Sequence, residues 1–212
     1  MPVDQRSPRV AMVRCAADLI ARNGVAGTSL GDVLAASGAA RGSVYHHFPG
    51  GRGQLMDEAV RYAGEELGAE LHRARSLPLP AALAAIAEIW RSRLIASDYA
   101  AGCPIGAGAQ AGGTDPDAAA AGREVFLQWD HLLSARLRED GFDDRHADDL
   151  AETILASMQG AVVLCRARHS IEPLDRAVAH LQALTERRAA ASDGEPTSEE
   201  SGGEIGGEQI VG

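Results

Sequence analysis

Apolar residues recur along this chain at helical spacing, and no stretch alternates apolar and polar positions between hairpin signals, so the pattern predicts an all-α fold. The first predicted helix takes Ser7 as its N-cap and Pro8 as its first helical residue. It lines Val10, Val13, Ala17 and Ile20 along one face and ends at Asn23-Gly24. Thr28-Ser29 opens a second, short helix in which Asp32, three residues after Ser29, is placed to reach back as a capping box. Ser37-Gly38 stops that helix, and a third short one is expected over 40–47. Two short helices about a sharp, Gly-containing corner have the sequence form of a helix-turn-helix.

Phe48-Pro49-Gly50-Gly51 breaks the chain again, and a long helix is expected from Arg52 with Leu55, Ala59, Ala63, Leu67 and Leu71 on one face. Pro78 and Pro80 limit it and mark a domain boundary. Beyond them the period predicts helices near 80–97 (Leu83, Ile86, Trp90, Leu94) and 117–139 (Val125, Trp129, Leu133, Leu137), separated by an irregular Gly- and Ala-rich stretch at 101–115. Two more follow near 144–168 (Leu150, Ile154, Met158, Val162, Cys165) and 172–189 (Leu174, Val178, Leu181, Leu184). The expected organisation is an N-terminal helix-turn-helix domain over 6–66 and a helical ligand-binding and dimerisation domain over 78–190. An acidic tail over 191–212 has too little apolar material to offset the cost of ordering it and is expected to be disordered.

Composition changes this picture in three places. A net charge of −10 argues against nucleic acid as a partner, but residues 1–56 hold six Arg against three Asp, a local +3 that leaves −13 for the rest. Charges beyond about 10 Å are screened at ordinary salt, so the local sign decides which face can meet phosphate. The opening MPVDQRSPRVAM lacks the apolar run of a signal peptide, and no stretch is read as approaching the roughly eighteen apolar residues of a membrane span, so a cytoplasmic protein without membrane contact is expected. Cys15, Cys103 and Cys165 have neither pairing nor metal spacing and read as buried free thiols. His46 and His47 are adjacent, so on a helix they point about 100° apart. With no third ligand nearby, neither a metal nor a cofactor is expected.

The segment TSLGDVLAASGAARGSVYHHFPGGRGQL at 28–55 resembles the helix-turn-helix of the TetR (tetracycline-repressor-type) family, and its FPGG step resembles the LmrA-type subgroup. The resemblance implies that Arg41, Gly42 and Ser43 stand at the N-terminal end of a recognition helix entering the major groove. Arg41 would read a guanine edge, Gly42 would let backbone approach, and Ser43 would bond base or phosphate. Tyr45 matches a phosphate-contacting tyrosine, with His46 beside it. Thr28, Ser29 and Arg52 fall at the starts of helices two and four, where free backbone N–H groups favour phosphate. Taken singly, Tyr45 would more often be core and Arg41 or Arg52 solvated surface; their joint spacing carries the reading. Two departures stand out: Ala40 replaces the usual Ser cap, a loss of about 1 kcal/mol of helix stability, and Ala39 replaces a larger turn residue.

In the second domain, Trp90, Tyr99, Cys103, Phe126, Trp129 and Met158 are candidates to line an apolar pocket, against the simpler reading that each fills core. GCPIG at 102–106 resembles a segment bordering the ligand cavity of the LmrA type. The resemblance also implies a homodimer built from the last two long helices, with Met158, Val162 and Leu181 facing the partner. The function expected is a transcriptional repressor that binds double-stranded operator DNA and is released by a small hydrophobic or aromatic effector. The alternative is a helical small-molecule carrier or enzyme without operator binding. Against catalysis, neither a Ser-His-acid set nor a carboxylate pair is discernible. A regulator that needs no ligand is a third reading.

Overall fold

A computed structural model of the chain describes residues 7–192, so the expectation of a disordered tail falls, from 193 on, outside the described residues. Among them are nine α-helices and no strand: α1 (Pro8–Asn23), α2 (Leu30–Ser37), α3 (Ser43–His47), α4 (Gly51–Ala74), α5 (Leu79–Ala96), α6 (Pro104–Ala109), α7 (Pro116–Glu139), α8 (Asp144–Arg168) and α9 (Glu172–Ser192). The helix starts follow from local chemistry. Pro8 stands at the head of α1, where its missing N–H costs nothing. Ser29 caps α2, Asp115 caps α7 by accepting from the Ala118 amide, and Asp143 caps α8 by accepting from the His146 amide.

One helix start and one added helix depart most from the periodic reading. The third helix begins at Ser43 rather than at 40: with Ala40 unable to cap, residues 41 and 42 stay in a turn and the Gly42 position supplies no side-chain cap. Within the stretch expected to be irregular, α6 forms over six residues because Pro104 presets its first turn and the Cys103 sulfur accepts from the Gly106 amide at 3.3 Å. Six residues of Gly, Ala, Pro and Ile offer no period to detect.

The long helix α4 is the element common to both halves of the chain, packing on α1 on one side and on α6 and α7 on the other. Its buried face, Leu55, Met56, Ala59, Val60, Ala63 and Leu67, belongs to one cluster that runs from Met12 in α1 to Leu181 in α9. Helices α5, α8 and α9 pack together on the far side of that trunk. Met158, Val162 and Leu181, expected to face a partner subunit, are instead 5%, 1% and 1% exposed inside the single chain. Helix α8 is apolar on two faces: Ile154, Met158, Val162 and Cys165 point inward, while Val163 and Leu164 are exposed. This also corrects the expectation that no segment is apolar enough to span a membrane, since an eighteen-residue window of α8 reaches a mean hydropathy of 1.2. A second apolar face gives a helix such a composition without any membrane, because one side serves the core and the other can meet a partner.

Candidate nucleic-acid interface

Helix α3 is short, and its fixed position depends on what surrounds it. Val44 and Phe48 are 1% and 0% exposed and plug into the cluster that holds Val33 of α2 and Met12 and Ile20 of α1. The Arg9 guanidinium lies 5.3 Å from the centre of the Phe48 ring and pairs with Glu58 at 2.6 Å, which fastens the start of α1 to the α3–α4 corner. Gly38, at φ 69° and ψ 12°, turns the chain from α2 towards α3 in the left-handed conformation. At the other end of α2 both halves of the capping box are made: the Asp32 amide donates to Ser29 Oγ at 3.2 Å and the Ser29 amide to Asp32 Oδ2 at 3.1 Å. The Ser29 hydroxyl donates to the same carboxylate, and these hydrogen bonds hold Asp32 below the usual carboxylate range.

With Val44 and Phe48 turned inward, the opposite side of α3 presents Arg41, Gly42, Tyr45 and His46 to solvent, and Tyr45 is 67% exposed. A tyrosine so exposed contributes little to the fold, and Arg41 makes no ion pair among the described residues. Ser43 is half-buried; its hydroxyl donates to the Ala40 carbonyl at 2.6 Å, so it closes the turn and leaves the first amides of α3 without a side-chain cap.

Thr28 and Arg52 do not join this face. Thr28 is 1% exposed and its hydroxyl donates to the Gly24 carbonyl at 2.8 Å. The Arg52 side chain is 32% exposed, and its guanidinium is engaged by protein groups: Nη1 donates to Asp115 Oδ2 at 2.6 Å, Nε and Nη2 donate to the Thr28 carbonyl at 3.2 and 3.1 Å, and Nη2 also reaches the Val25 carbonyl. Asp115 is 4% exposed, and a carboxylate so buried demands a counter-charge, which is the physical reason this arginine turns to it. Among the described residues no group of three or more His, Cys, Asp or Glu could hold a metal ion, and His46 and His47 meet only edge to face, with ring centres 5.0 Å apart.

Five of the six candidate effector residues divide among three places. Trp90, Trp129 and Met158 line one apolar cavity of about 40 Å³ with Leu67, Leu71 and Gln159. Phe126 packs edge-on against Trp129 at 5.8 Å and faces a groove of about 970 Å³ bounded by the end of α6, α7 and α8. Leu155 and Gln159 line both spaces, so the groove and the cavity adjoin through them. Cys103 lies apart, in a recess of about 340 Å³ beside α1 and Arg166; burial pushes its thiol up, away from reactivity, and Gln159 bonds to it. Tyr99 joins none of them. Its ring packs at a tilt against His169, with centres 4.6 Å apart, where the α5–α6 link meets the end of α8. Gln159 was not singled out in the sequence, although a lone amide beside Met158 in the apolar stripe of α8 is the kind of signal that marks a pocket.

Two family models match the chain: "Bacterial regulatory proteins, tetR family" over residues 13–59 and "Transcriptional regulator LmrA/YxaF-like, C-terminal domain" over residues 80–180. An uncharacterized HTH-type transcriptional regulator of Mycobacterium tuberculosis is 40% identical over 177 residues, covering 80% of this chain and 90% of its own. The chain belongs to the TetR family. Within it the LmrA type is the matching subgroup: the HTH-type transcriptional regulator LmrA of Bacillus subtilis is 26% identical over 78% of this chain and 90% of its own. The fold agrees with a TetR transcriptional regulator from Chloroflexus aurantiacus at a TM-score of 0.71, with 28% identity over 85% of this chain and 94% of that one. This TetR-family chain is therefore a DNA-binding transcriptional regulator. Its fold is one that in general binds operator DNA and forms homodimers.

Proposed function

We propose that this chain is a cytoplasmic repressor, not an enzyme, which loses its operator when a small, mostly apolar aromatic molecule enters the groove between α6, α7 and α8. The observation that carries the reading is the pairing of an exposed Arg41–Gly42–Tyr45–His46 face with a large groove in the same chain. In this reading Arg41 reads a base edge, while Ser43, Tyr45 and His46 meet phosphate or base. A cavity of about 40 Å³ is too small for such an effector. The ligand therefore lies first against Phe126 and Leu155 in the groove and widens the Trp90–Trp129 cavity as Leu155 and Gln159 give way.

The partner subunit docks on the exposed side of α8 and α9, where Val163, Leu164, Ala179 and His180 face outward, rather than on Met158, Val162 or Leu181. Pairing two recognition helices sets them against half-sites about 34 Å apart.

The test combines two titrations. Duplexes from the region upstream of the protein's own gene are screened by fluorescence anisotropy, and planar aromatic compounds are titrated against tryptophan emission with and without the bound duplex. Specific binding, together with quenching that weakens by the same factor as operator affinity falls, is the expected result. Saturable quenching identical with and without DNA would assign the groove no regulatory role. A protein that binds all duplexes equally would not be an operator-binding repressor.

A further inference from the structure

We propose that the Arg52–Asp115 ion pair is the link through which occupancy of the α6–α7–α8 groove sets the pose of the helix-turn-helix. The inference rests on the repressor reading above and names its route of regulation. Three parts of the molecule meet at the Arg52 guanidinium: the first turn of α4, the carbonyls of Val25 and Thr28 that lead into α2, and the cap of α7. The planar fork holds the three together in one geometry, which a point charge cannot do.

Asp115 in turn stands just behind the wall of the groove, next in the chain to Pro116, which lines it. The Asp115 amide donates to the Ala111 carbonyl at 2.8 Å, as does that of Thr114, so residues 111–115 form one tight corner between α6 and α7. Ala109, Gly112, Pro116 and Ala119, on or beside that corner, line the groove. The two helices that the corner joins have no slack against each other or against the trunk. A Cβ on Gly122 of α7 would lie 2.4 Å from the Ala109 amide nitrogen, and one on Gly108 of α6 would lie 2.8 Å from Val60 of α4. Close-packed elements pass a displacement on to their neighbours instead of absorbing it. A ligand that pushes the corner outward draws Asp115 from Arg52, and the guanidinium then releases the two carbonyls that fix the entrance to α2. The two recognition helices of a dimer no longer match their half-sites, and the operator is lost.

The experiment uses the full chain with Arg52→Gln, Asp115→Asn, the double variant and Arg52→Lys. Asparagine keeps an oxygen for the Ala118 amide, so Asp115→Asn removes the charge while leaving the α7 cap. Amide hydrogen exchange is followed over residues 25–48 in the free protein, and affinity for the upstream duplex is measured from low to high salt. The expected result is that Asp115→Asn and Arg52→Gln each raise exchange over 25–48 and weaken operator binding by about fivefold or more. The double variant should be no worse than either single one. The salt slope should be unchanged, because no phosphate contact is lost. Arg52→Lys should loosen 25–48 as well, since it keeps the charge but loses the fork; it folds on the same core and decides the matter if Asp115→Asn proves unstable.

The proposal is overturned if Arg52→Gln lowers the salt slope by about one while Asp115→Asn leaves exchange and binding untouched, since Arg52 would then be a phosphate ligand. It is equally overturned if Arg52→Lys leaves exchange over 25–48 at the wild-type level. A wild-type protein that binds no duplex would break the repressor reading alone, and the exchange arm would still decide whether the pair holds the helix-turn-helix.

Discussion

Gly42→Ala separates what the fold needs from what DNA needs. Gly42 precedes α3 at φ −72° and ψ −16°, a right-handed conformation that alanine adopts without strain. A Cβ placed there meets nothing within 4 Å. The fold thus gives no reason for glycine at this position, and the substitution should stabilise the free protein by about 0.4–1 kcal/mol by narrowing the unfolded ensemble. In a chain of this size that is a rise in melting temperature of roughly 1–4 °C. Gly42 is nevertheless exposed on the face that carries Arg41 and Tyr45. If its bare backbone lies against the duplex, one methyl group forces α3 outward and loosens the neighbouring contacts by about 1–3 kcal/mol, roughly a 5- to 150-fold weaker operator complex. Thermal melts of the free protein and anisotropy with the operator duplex read the two effects separately. Gly38→Ala is the control: its φ of 69° makes a side chain strained, so stability falls first, by about 1–2 kcal/mol. A Gly42→Ala protein that melts higher and binds the operator as tightly as wild type would refute the argument that the glycine serves DNA.

Three further outcomes are expected. Val163 is 60% exposed and Val162 1%, so Val163→Glu should give a folded monomer by sedimentation, whereas Val162→Glu buries an unpaired carboxylate and should unfold the chain; dimeric Val163→Glu would move the interface off this face. Gly122→Ala drives a methyl group into the backbone of α6 and should cost about 1–3 kcal/mol in denaturant unfolding, while Gly113→Ala, with nothing within 4 Å, should change it little. Asp32 has its carboxyl held below the ordinary value of 3.8 by Ser29, so its stabilising effect is present above that value and fades as pH falls through the depressed one; Asp32→Asn should flatten that part of the acid-unfolding curve.

The parts of the fold that local chemistry decides could be read directly from the chain. The Ser29–Asp32 box, the Pro8 start and the Gly38 corner are each specified within a few residues. What escaped was decided at a distance. Arg52 sits where a helix start favours phosphate, and only the fold reveals that Asp115, 63 residues away, competes for it. Periodicity finds the stripe through Met158 and Val162 in α8 without saying that it belongs to the core, and it passes over Val163 and Leu164, which form a second apolar face outside. Trp90, Trp129 and Met158 do share a cavity as their stripes suggest, but Tyr99 follows the turn after α5, where Asp98 and Tyr99 take φ of 52° and 57°, and is carried away from it.

The glycine-lined seams among α4, α6 and α7 also bear on how such a regulator can change over generations. A backbone stacked that closely accepts almost no substitution at Gly108 or Gly122, so the trunk that carries the helix-turn-helix is frozen. The groove wall opposite it is not. Leu127 of α7 and Glu152 and Ala156 of α8 are exposed side chains on the rim of the 970 Å³ space, touching none of those seams. Exchanging them changes the shape and charge of that rim while leaving the frame as it was, so under the repressor reading proposed above lineages built on this scaffold can diversify their chemical signals and keep one mode of gripping DNA.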